Sequence, residues 1–281
     1  MCPPVIRFGA YASRFKKRMC VIEKSSKKQL ERVRRLLRDK SLRDAEGAFV
    51  VEGLKIVRDV DRKARVLDLV LFSYGSLREE SNKDLLLNLK KRGICVRSVY
   101  DNIFKKISTL RTPQGVLAVV KKNRNKLTVS LKKDVLVLVC DGIQDPGNLG
   151  TIIRSAAAFG VDSILLTGES ADVYNPKVIR ASSGTIFDIP IYYQSADDLD
   201  VFRRNGYKVI VSSANEKNIE GIAAIEKNAG PIIVVFGNEG KGVSDEIRSK
   251  ADAFFHIPMK KRVESLNVTA AVAITLYTLK S

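Results

Sequence analysis

The chain contains no tryptophan, one histidine and four cysteines among its 281 residues. The cysteines (Cys2, Cys20, Cys95 and Cys140) lack the spacing of a metal site, and a single histidine adds too few ligands for zinc. Scattered cysteines favour reduced thiols over a disulfide framework, which predicts a cytoplasmic protein. No apolar run approaches the roughly 20 residues that a membrane-spanning helix needs, so no membrane partner is expected.

The front half of the chain has few acidic residues for its number of basic ones. Residues 1–133 hold 34 Lys and Arg against 13 Asp and Glu, a net +21, while residues 134–281 hold 15 against 18, a net −3. A surface charged only for solubility would not divide so sharply. The asymmetry predicts a polyanion-binding module, most simply for nucleic acid, joined to a near-neutral module with another task.

Charge and periodicity divide the chain into four segments. Residues 1–22 are expected to be a basic, disordered extension, although a targeting peptide or RNA-contacting aromatics would also fit. Residues 23–123 alternate strand and helix patterns in a small α/β domain that begins with one basic helix over residues 25–43. Residues 124–133 form a basic linker, and residues 134–281 an open α/β sheet with helices on both faces.

In open α/β sheets, ligands bind beyond the carboxyl ends of the strands. Three loops of the second domain leave apolar strands there, at residues 141–148, 237–242 and 259–267. The middle loop has three glycines, which allow the backbone to approach a ligand closely. Its spacing is not that of a P-loop, and no Gly-x-Gly-x-x-Gly turn supports a nicotinamide oxidoreductase. We further predict a helix over residues 149–159, a strand over 187–192 and a final helix over 266–280.

Three segments at these loops match the motifs of one enzyme family in order and spacing. The first is residues 148–154, continuing to Phe159 and Gly160; the second is residues 235–242; the third joins residues 257–259 to 265–268. Together they resemble the SpoU/TrmH family of RNA ribose 2′-O-methyltransferases, in the SPOUT class.

The front domain resembles, more loosely, the small RNA-binding domain that many members of this family carry. Residues 49–53 and 112–116 carry that resemblance. The whole chain is therefore expected to pair a small α/β RNA-binding domain with a Rossmann-like parallel sheet whose C-terminal end forms a deep trefoil knot. The resemblance also implies S-adenosylmethionine (AdoMet) as cofactor and a homodimer whose active sites use residues of both chains. No metal is expected, because of the single histidine and the scattered cysteines.

The implied activity is methyl transfer from AdoMet to a ribose 2′-hydroxyl of structured RNA. The two-domain layout favours ribosomal RNA by family analogy. A tRNA 2′-O-methyltransferase and a catalytically silent RNA-binding or ribosome-assembly factor remain alternatives on the same fold; failure to bind AdoMet would favour the silent factor.

The resemblance also assigns catalytic residues, position by position. Arg154 matches the family's catalytic arginine; because a guanidinium barely loses its proton, we expect it to orient the target phosphate and stabilise the developing alkoxide. Asn148 either caps its helix or contacts the substrate, and Glu239 anchors the glycine loop or the arginine. Ser265 and Asn267 are expected to combine helix capping with support of Arg154.

The cofactor is expected in the loops at the carboxyl ends of the strands. His256 is expected to be a core residue, and Lys260, Lys261 and Arg262 either meet RNA phosphates or form a solvated loop. The predicted cofactor-binding residues are Ser213, Gly237, Asn238, Glu239, Gly242, Ile257, Met259, Ser265, Leu266, Asn267 and Ala270.

Overall fold

The structure is a computed structural model that describes residues 22–63, 66–122, 129–130, 134–213, 219–222, 230–260 and 265–280. Contacts between residues divide the chain into two compact units, Met1–Asn123 and Arg124–Ser281. The expected basic extension lies almost wholly outside the described residues, as does most of the expected linker.

The first unit is a four-stranded mixed sheet covered by helices. Its elements are α1 (Lys27–Arg38), α2 (Lys40–Glu46), β1 (Ala48–Glu52), α3 (Leu54–Arg62), β2 (Leu67–Ser73), α4 (Glu80–Lys91), β3 (Val96–Val99), α5 (Asp101–Ile107) and β4 (Val116–Lys121). The sheet order is β1-β4-β2-β3, in which β4 is antiparallel to β1 and β2, and β2 is parallel to β3. Consequently β1, β2 and β3 run the same way, and their carboxyl ends lie at one edge.

The prediction of a single helix over residues 25–43 is wrong, because the helix is interrupted at Asp39. The backbone of Asp39 is extended (φ −111°, ψ 109°), and its carboxylate accepts a 3.1 Å hydrogen bond from the Leu42 N–H. Asp39 thus ends α1 and caps α2, as a short acidic side chain does well at a helix start. The apolar stripe of α1 is buried as expected, at Val33, Leu36 and Leu37.

The second unit is a seven-stranded sheet with helices between the strands. Its elements are β5 (Leu136–Asp141), α6 (Pro146–Ala158), β6 (Ser163–Thr167), α7 (Pro176–Ala181), β7 (Ile191–Tyr193), α8 (Asp198–Arg204), β8 (Lys208–Ser212), β9 (Ile219–Gly221), β10 (Ile232–Gly237), α9 (Asp245–Arg248), β11 (Ala253–His256) and α10 (Val268–Lys280). The order is β7-β6-β5-β10-β8-β11-β9, and every neighbouring pair is parallel. The predicted α/β architecture is confirmed.

Two of the expected elements of this unit need correction here, and one strand is additional. Helix α6 begins three residues earlier than predicted, because Asp145 caps it and Pro146 suits the first helical position. The strand predicted over 187–192 is wrong: Thr185–Phe187 is a 3-10 helix, and pairing is confined to Ile191–Tyr193. The short edge strand β9 was not predicted.

Helix α10 packs against α6, although β10 and β8 separate their preceding strands, β11 and β5. The rings of Phe159 and Tyr277 meet edge to face, with centroids 6.1 Å apart. Helix α10 therefore returns to the β5 side of the sheet, whereas β11 lies on the other side of β10 and β8. A knot requires such a return; the knot itself stays a prediction.

Candidate active site

Four strands of the second unit end side by side at one edge of the sheet. Pairing sets Gly237 of β10 opposite Asp141 of β5, and Phe255 of β11 opposite Ser212 of β8. The three expected loops leave from these ends. Ser213 follows β8 directly, and its N–H donates to the Phe255 carbonyl at 3.0 Å. The structure thus brings the predicted cofactor-binding segments to a common edge.

The glycine-rich loop after β10 is closed on itself by backbone hydrogen bonds. Asn238 and Gly242 exchange two N–H···O bonds of 2.9 Å, and the Asn238 Oδ1 atom accepts from the N–H groups of Gly240 and Lys241. A Cβ on Gly237 would lie 2.2 Å from the Gly242 carbonyl carbon and the Val243 nitrogen. Only glycine therefore permits this tight return of the backbone.

Side chains tie the glycine loop to the loop after β5. The Asn148 Nδ2 atom donates to the Glu239 Oε1 atom at 2.7 Å, and the Asn238 Nδ2 atom donates to the Gly142 carbonyl at 2.9 Å. Asp145, not Asn148, caps α6, so the capping alternative for Asn148 is wrong. Glu239 anchors the glycine loop, which is one of the two roles expected of it.

Sequence reasoning missed Asp141, a buried carboxylate below these loops. It accepts from the Ser244 N–H at 2.7 Å and from the Thr167 hydroxyl at 2.9 Å. The signal that could have revealed it is an acidic residue at the end of an apolar strand, where an unpaired charge would be costly. Burial and the Asp141 charge raise the pKa of the adjacent Cys140 thiol to about 12, so this thiol is no nucleophile.

The third segment ends in the cap of α10, which begins at Val268 and not at residue 266. The Asn267 Oδ1 atom accepts from the Thr269 N–H at 2.8 Å and from the Thr269 hydroxyl at 2.6 Å. Asn267 therefore caps the helix as expected, and Ser265 lies exposed just before it.

Arg154 lies on the exposed face of α6. Thr151 and Ala158, one turn away on either side along the helix, are also exposed and have short side chains. Within the described residues Arg154 makes no ion pair, and no hydrogen bond joins it to Glu239, Ser265 or Asn267. The expected support of the arginine is thus not formed within one chain.

The remaining predicted cofactor-binding residues combine apolar side chains with accessible backbone. Ile257, Leu266 and Ala270 are half-buried, and Met259 is 41% exposed. Such a lining fits the apolar faces and the polar edge of an adenosyl group. His256 is half-buried at the end of β11, and Lys261 and Arg262 lie outside the described residues. Among the residues with described positions, no group of three or more histidine, cysteine or acidic side chains could hold a metal ion.

Family models match both units. The SpoU rRNA Methylase family matches residues 135–277, and the MRM3-like substrate binding domain matches residues 27–118. The 23S rRNA (guanosine(2553)-2′-O)-methyltransferase RlmP of Bacillus subtilis is 30% identical over 260 residues, which cover 91% of this chain and 98% of that protein. The human mitochondrial rRNA methyltransferase 3 is 34% identical over 169 residues, or 58% of this chain and 39% of the relative.

Solved structures resemble the whole chain. An AdoMet-bound rRNA methyltransferase from Sinorhizobium meliloti superposes with a TM-score of 0.82 at 26% identity, covering 92% of this chain and 96% of the other. An RNA 2′-O ribose methyltransferase gives a TM-score of 0.75 at 25% identity, with coverage of 92% and 97%.

Proposed function

The chain belongs to the SpoU rRNA methylase family, and we propose that it transfers a methyl group from AdoMet to a ribose 2′-hydroxyl of ribosomal RNA. The observation that carries the proposal is the convergence of three motif-bearing loops at one sheet edge, joined by the hydrogen bond between Asn148 and Glu239. Ribosomal RNA is preferred over tRNA because the RlmP protein of Bacillus subtilis, which is covered over 98% of its length, is an rRNA methyltransferase.

We assign the cofactor to the carboxyl edge of β8, β10 and β11. Backbone at Gly237, Ile257, Met259 and Leu266 would hold it, and the apolar side chains would cover its adenine. When bound, AdoMet supplies a methyl group that is already activated by the positive sulfur. The protein then has to position the ribose and assist loss of its proton.

Arg154 is the group that would act on the RNA. A protonated guanidinium can hold a phosphate through two parallel hydrogen bonds and lower the energy of the developing 2′-alkoxide. Its exposed place beside short side chains leaves room for a ribose-phosphate segment. Asn148 and Glu239 would fix the two loops against each other, while Asn267 would fix the start of α10.

A homodimer would complete the site. The outer face of α10 exposes Tyr277 at 61% and Ile274 at 41%, which is apolar area suited to a second copy of the chain. Because Arg154 makes no ion pair and no hydrogen bond with Glu239, Ser265 or Asn267 among the described residues, we propose that residues of a partner chain supply its support. Analytical ultracentrifugation tests this assignment: a monomer at micromolar concentration would contradict it.

The basic first unit would bind the RNA. Lys27, Lys28, Arg34 and Arg38 are exposed on α1 and offer a row of positive charge to phosphates. Cytoplasmic localisation stays a prediction. In the part of the chain that the structure describes, no helix combines the length and hydrophobicity needed to cross a bilayer.

Incubation of the protein with ribosomal RNA and methyl-labelled AdoMet tests the function. We expect label in RNA, located on a 2′-oxygen by its resistance to alkaline cleavage at one nucleotide. Label in tRNA alone would overturn the choice of substrate. Absence of AdoMet binding would favour the silent RNA-binding factor.

A further inference from the structure

Two segments of the first unit that resemble the family's RNA-binding domain lie together, although some sixty residues separate them. The Gly53 N–H donates to the Val116 carbonyl at 3.0 Å, and the Leu54 N–H donates to the Gln114 Oε1 atom at 3.0 Å. Glu52 accepts hydrogen bonds from the N–H and hydroxyl of Thr109. These hydrogen bonds fix the start of α3 at the carboxyl edge of β1. The Gln114 side chain caps the helix by accepting from the Leu54 N–H.

A cavity of about 450 Å³ lies beside this junction, along the length of α3 and at the start of α4. Leu54 and Gln114 line it on one side and Asn82 on the other.

Asn82 has the character of a ligand-reading residue. Its side chain is 1% exposed, and its Nδ2 atom donates to the Ser76 carbonyl at 2.8 Å. Its Oδ1 atom is buried without a hydrogen-bond partner. Because an unpaired buried acceptor is destabilising, a donor from outside the protein would be favoured here. The exocyclic amines of adenine, cytosine and guanine are such donors.

The charges around the cavity suit a nucleotide better than a free anion. Lys55 and Arg62 are exposed at its rim, and Arg58 is held by a 2.7 Å bond to the Ser81 carbonyl. Asp59 and Glu79 also line the cavity and would repel a bare phosphate deep inside it. A base edge, however, can donate to carboxylates while its phosphate stays at the basic rim.

The same edge of the sheet carries an aromatic pair. Tyr74 and Tyr100 follow the carboxyl ends of β2 and β3; their rings are 5.0 Å apart, and the Lys24 ammonium lies 4.2 Å from the Tyr100 ring centroid. Ser76, two residues after Tyr74, is the partner of Asn82. Partly exposed aromatic rings beside basic groups are typical of surfaces that hold unpaired bases.

We propose that the cavity between α3 and α4 receives one unpaired nucleotide of the RNA substrate, with its base towards Asn82 and Gln114 and its phosphate at Lys55. The proposal rests on the proposed function, because it takes RNA as the substrate. It deepens that function by assigning the recognised feature, a nucleotide outside a helix, to a named site.

The test uses the full chain and fluorescein-labelled RNA hairpins in an anisotropy titration. One set carries a single bulged nucleotide (A, C, G or U), one carries an abasic bulge, and one is fully paired. We expect the wild type to bind at least one bulged hairpin about five-fold or more tightly than the abasic and paired forms, as stacking and one base-edge contact would give. Equal affinity for all forms would overturn the proposal. A preference for every bulged hairpin, including the abasic one, would show that the site contacts only phosphate and would also overturn it.

Two variants locate the effect. Lys55→Glu reverses the rim charge, and Leu54→Trp fills the cavity; both should abolish the bulge preference. Lys91→Glu makes the same charge change at the far end of α4, outside the cavity, and should keep it. Circular dichroism identifies any variant that fails to fold, and the two cavity variants serve as independent checks on each other. Retained preference in both cavity variants would contradict the assignment.

AdoMet calorimetry and methyl transfer to ribosomal RNA separate this proposal from the proposed function. Methyl transfer at the expected level without any preference for bulged hairpins would contradict the nucleotide site alone. If the protein prefers bulged hairpins but neither binds AdoMet nor transfers a methyl group, the proposed function alone is contradicted.

Discussion

Replacement of Gly237 by alanine is the sharpest test of the loop geometry. The added Cβ would lie 2.2 Å from backbone atoms of Gly242 and Val243, where ordinary contacts begin at 3.4 Å. Backbone cannot rotate aside as a side chain can, so the loop must move by about 1 Å. Gly240→Ala is the matched control, because its Cβ would meet only the Asn238 Oδ1 atom at 3.6 Å.

The displacement sets the expected size of the effect. Overpacking of this kind costs roughly 1–3 kcal/mol, which lowers Tm by several degrees in a unit of this size. A 1 Å misplacement near a reacting centre costs on the order of 100-fold in rate. We therefore expect Gly237→Ala to lose about 100-fold in kcat/KM for RNA methylation and to bind AdoMet more weakly, while Gly240→Ala stays near wild type.

Methyl transfer to ribosomal RNA, AdoMet calorimetry and thermal unfolding together decide the matter. Equal AdoMet affinity and equal rates in the two alanine variants would refute the reasoning, because it would mean that the loop after β10 does not shape the cofactor site.

Three further predictions concern the same edge. In a double-mutant cycle of Asn148→Ala and Glu239→Ala, the coupling in kcat/KM should be about 1 kcal/mol, roughly five-fold, and strict additivity would show that their hydrogen bond is irrelevant to the reaction. Asp141→Ala leaves the buried Thr167 hydroxyl and the part-buried Ser244 N–H unpaired and should destabilise the second unit by about 1–3 kcal/mol; an unchanged Tm in scanning calorimetry would disagree. At pH 8 the Cys140 thiol should resist iodoacetamide in the native protein, because burial raises its pKa to about 12 and the thiolate is the reactive form; mass spectrometry should find the partly exposed Cys95 alkylated before Cys140.

Much of the fold follows from periodicity, and the exceptions have identifiable causes. The end of helix α6 was predicted to within one residue, because Gly160, which has a positive φ, closes the helix. The break at Asp39 was missed because no glycine or proline lies between residues 25 and 46 to mark the end of the first helix. The prediction of a strand over 187–192 was wrong because the first apolar residues of this segment are buried without pairing to a neighbouring strand. Pairing begins only at Ile191, directly after Pro190.

The candidate site was predictable where motifs carried it. The three loops could be placed because each follows an apolar strand of one parallel sheet. The bonds between loops could not be predicted, since the partnership of Asn148 with Glu239 or of Asn238 with Gly142 depends on tertiary distances. Asp141 was hidden for the same reason, because its partners come from two distant segments.

The central claim is that Arg154 acts on the RNA while the loops beyond β8, β10 and β11 hold AdoMet. The most direct measurement combines methyl transfer to ribosomal RNA with AdoMet calorimetry for Arg154→Ala. We predict that methyl transfer is abolished while AdoMet binds with wild-type affinity. Wild-type turnover in this variant would contradict the account.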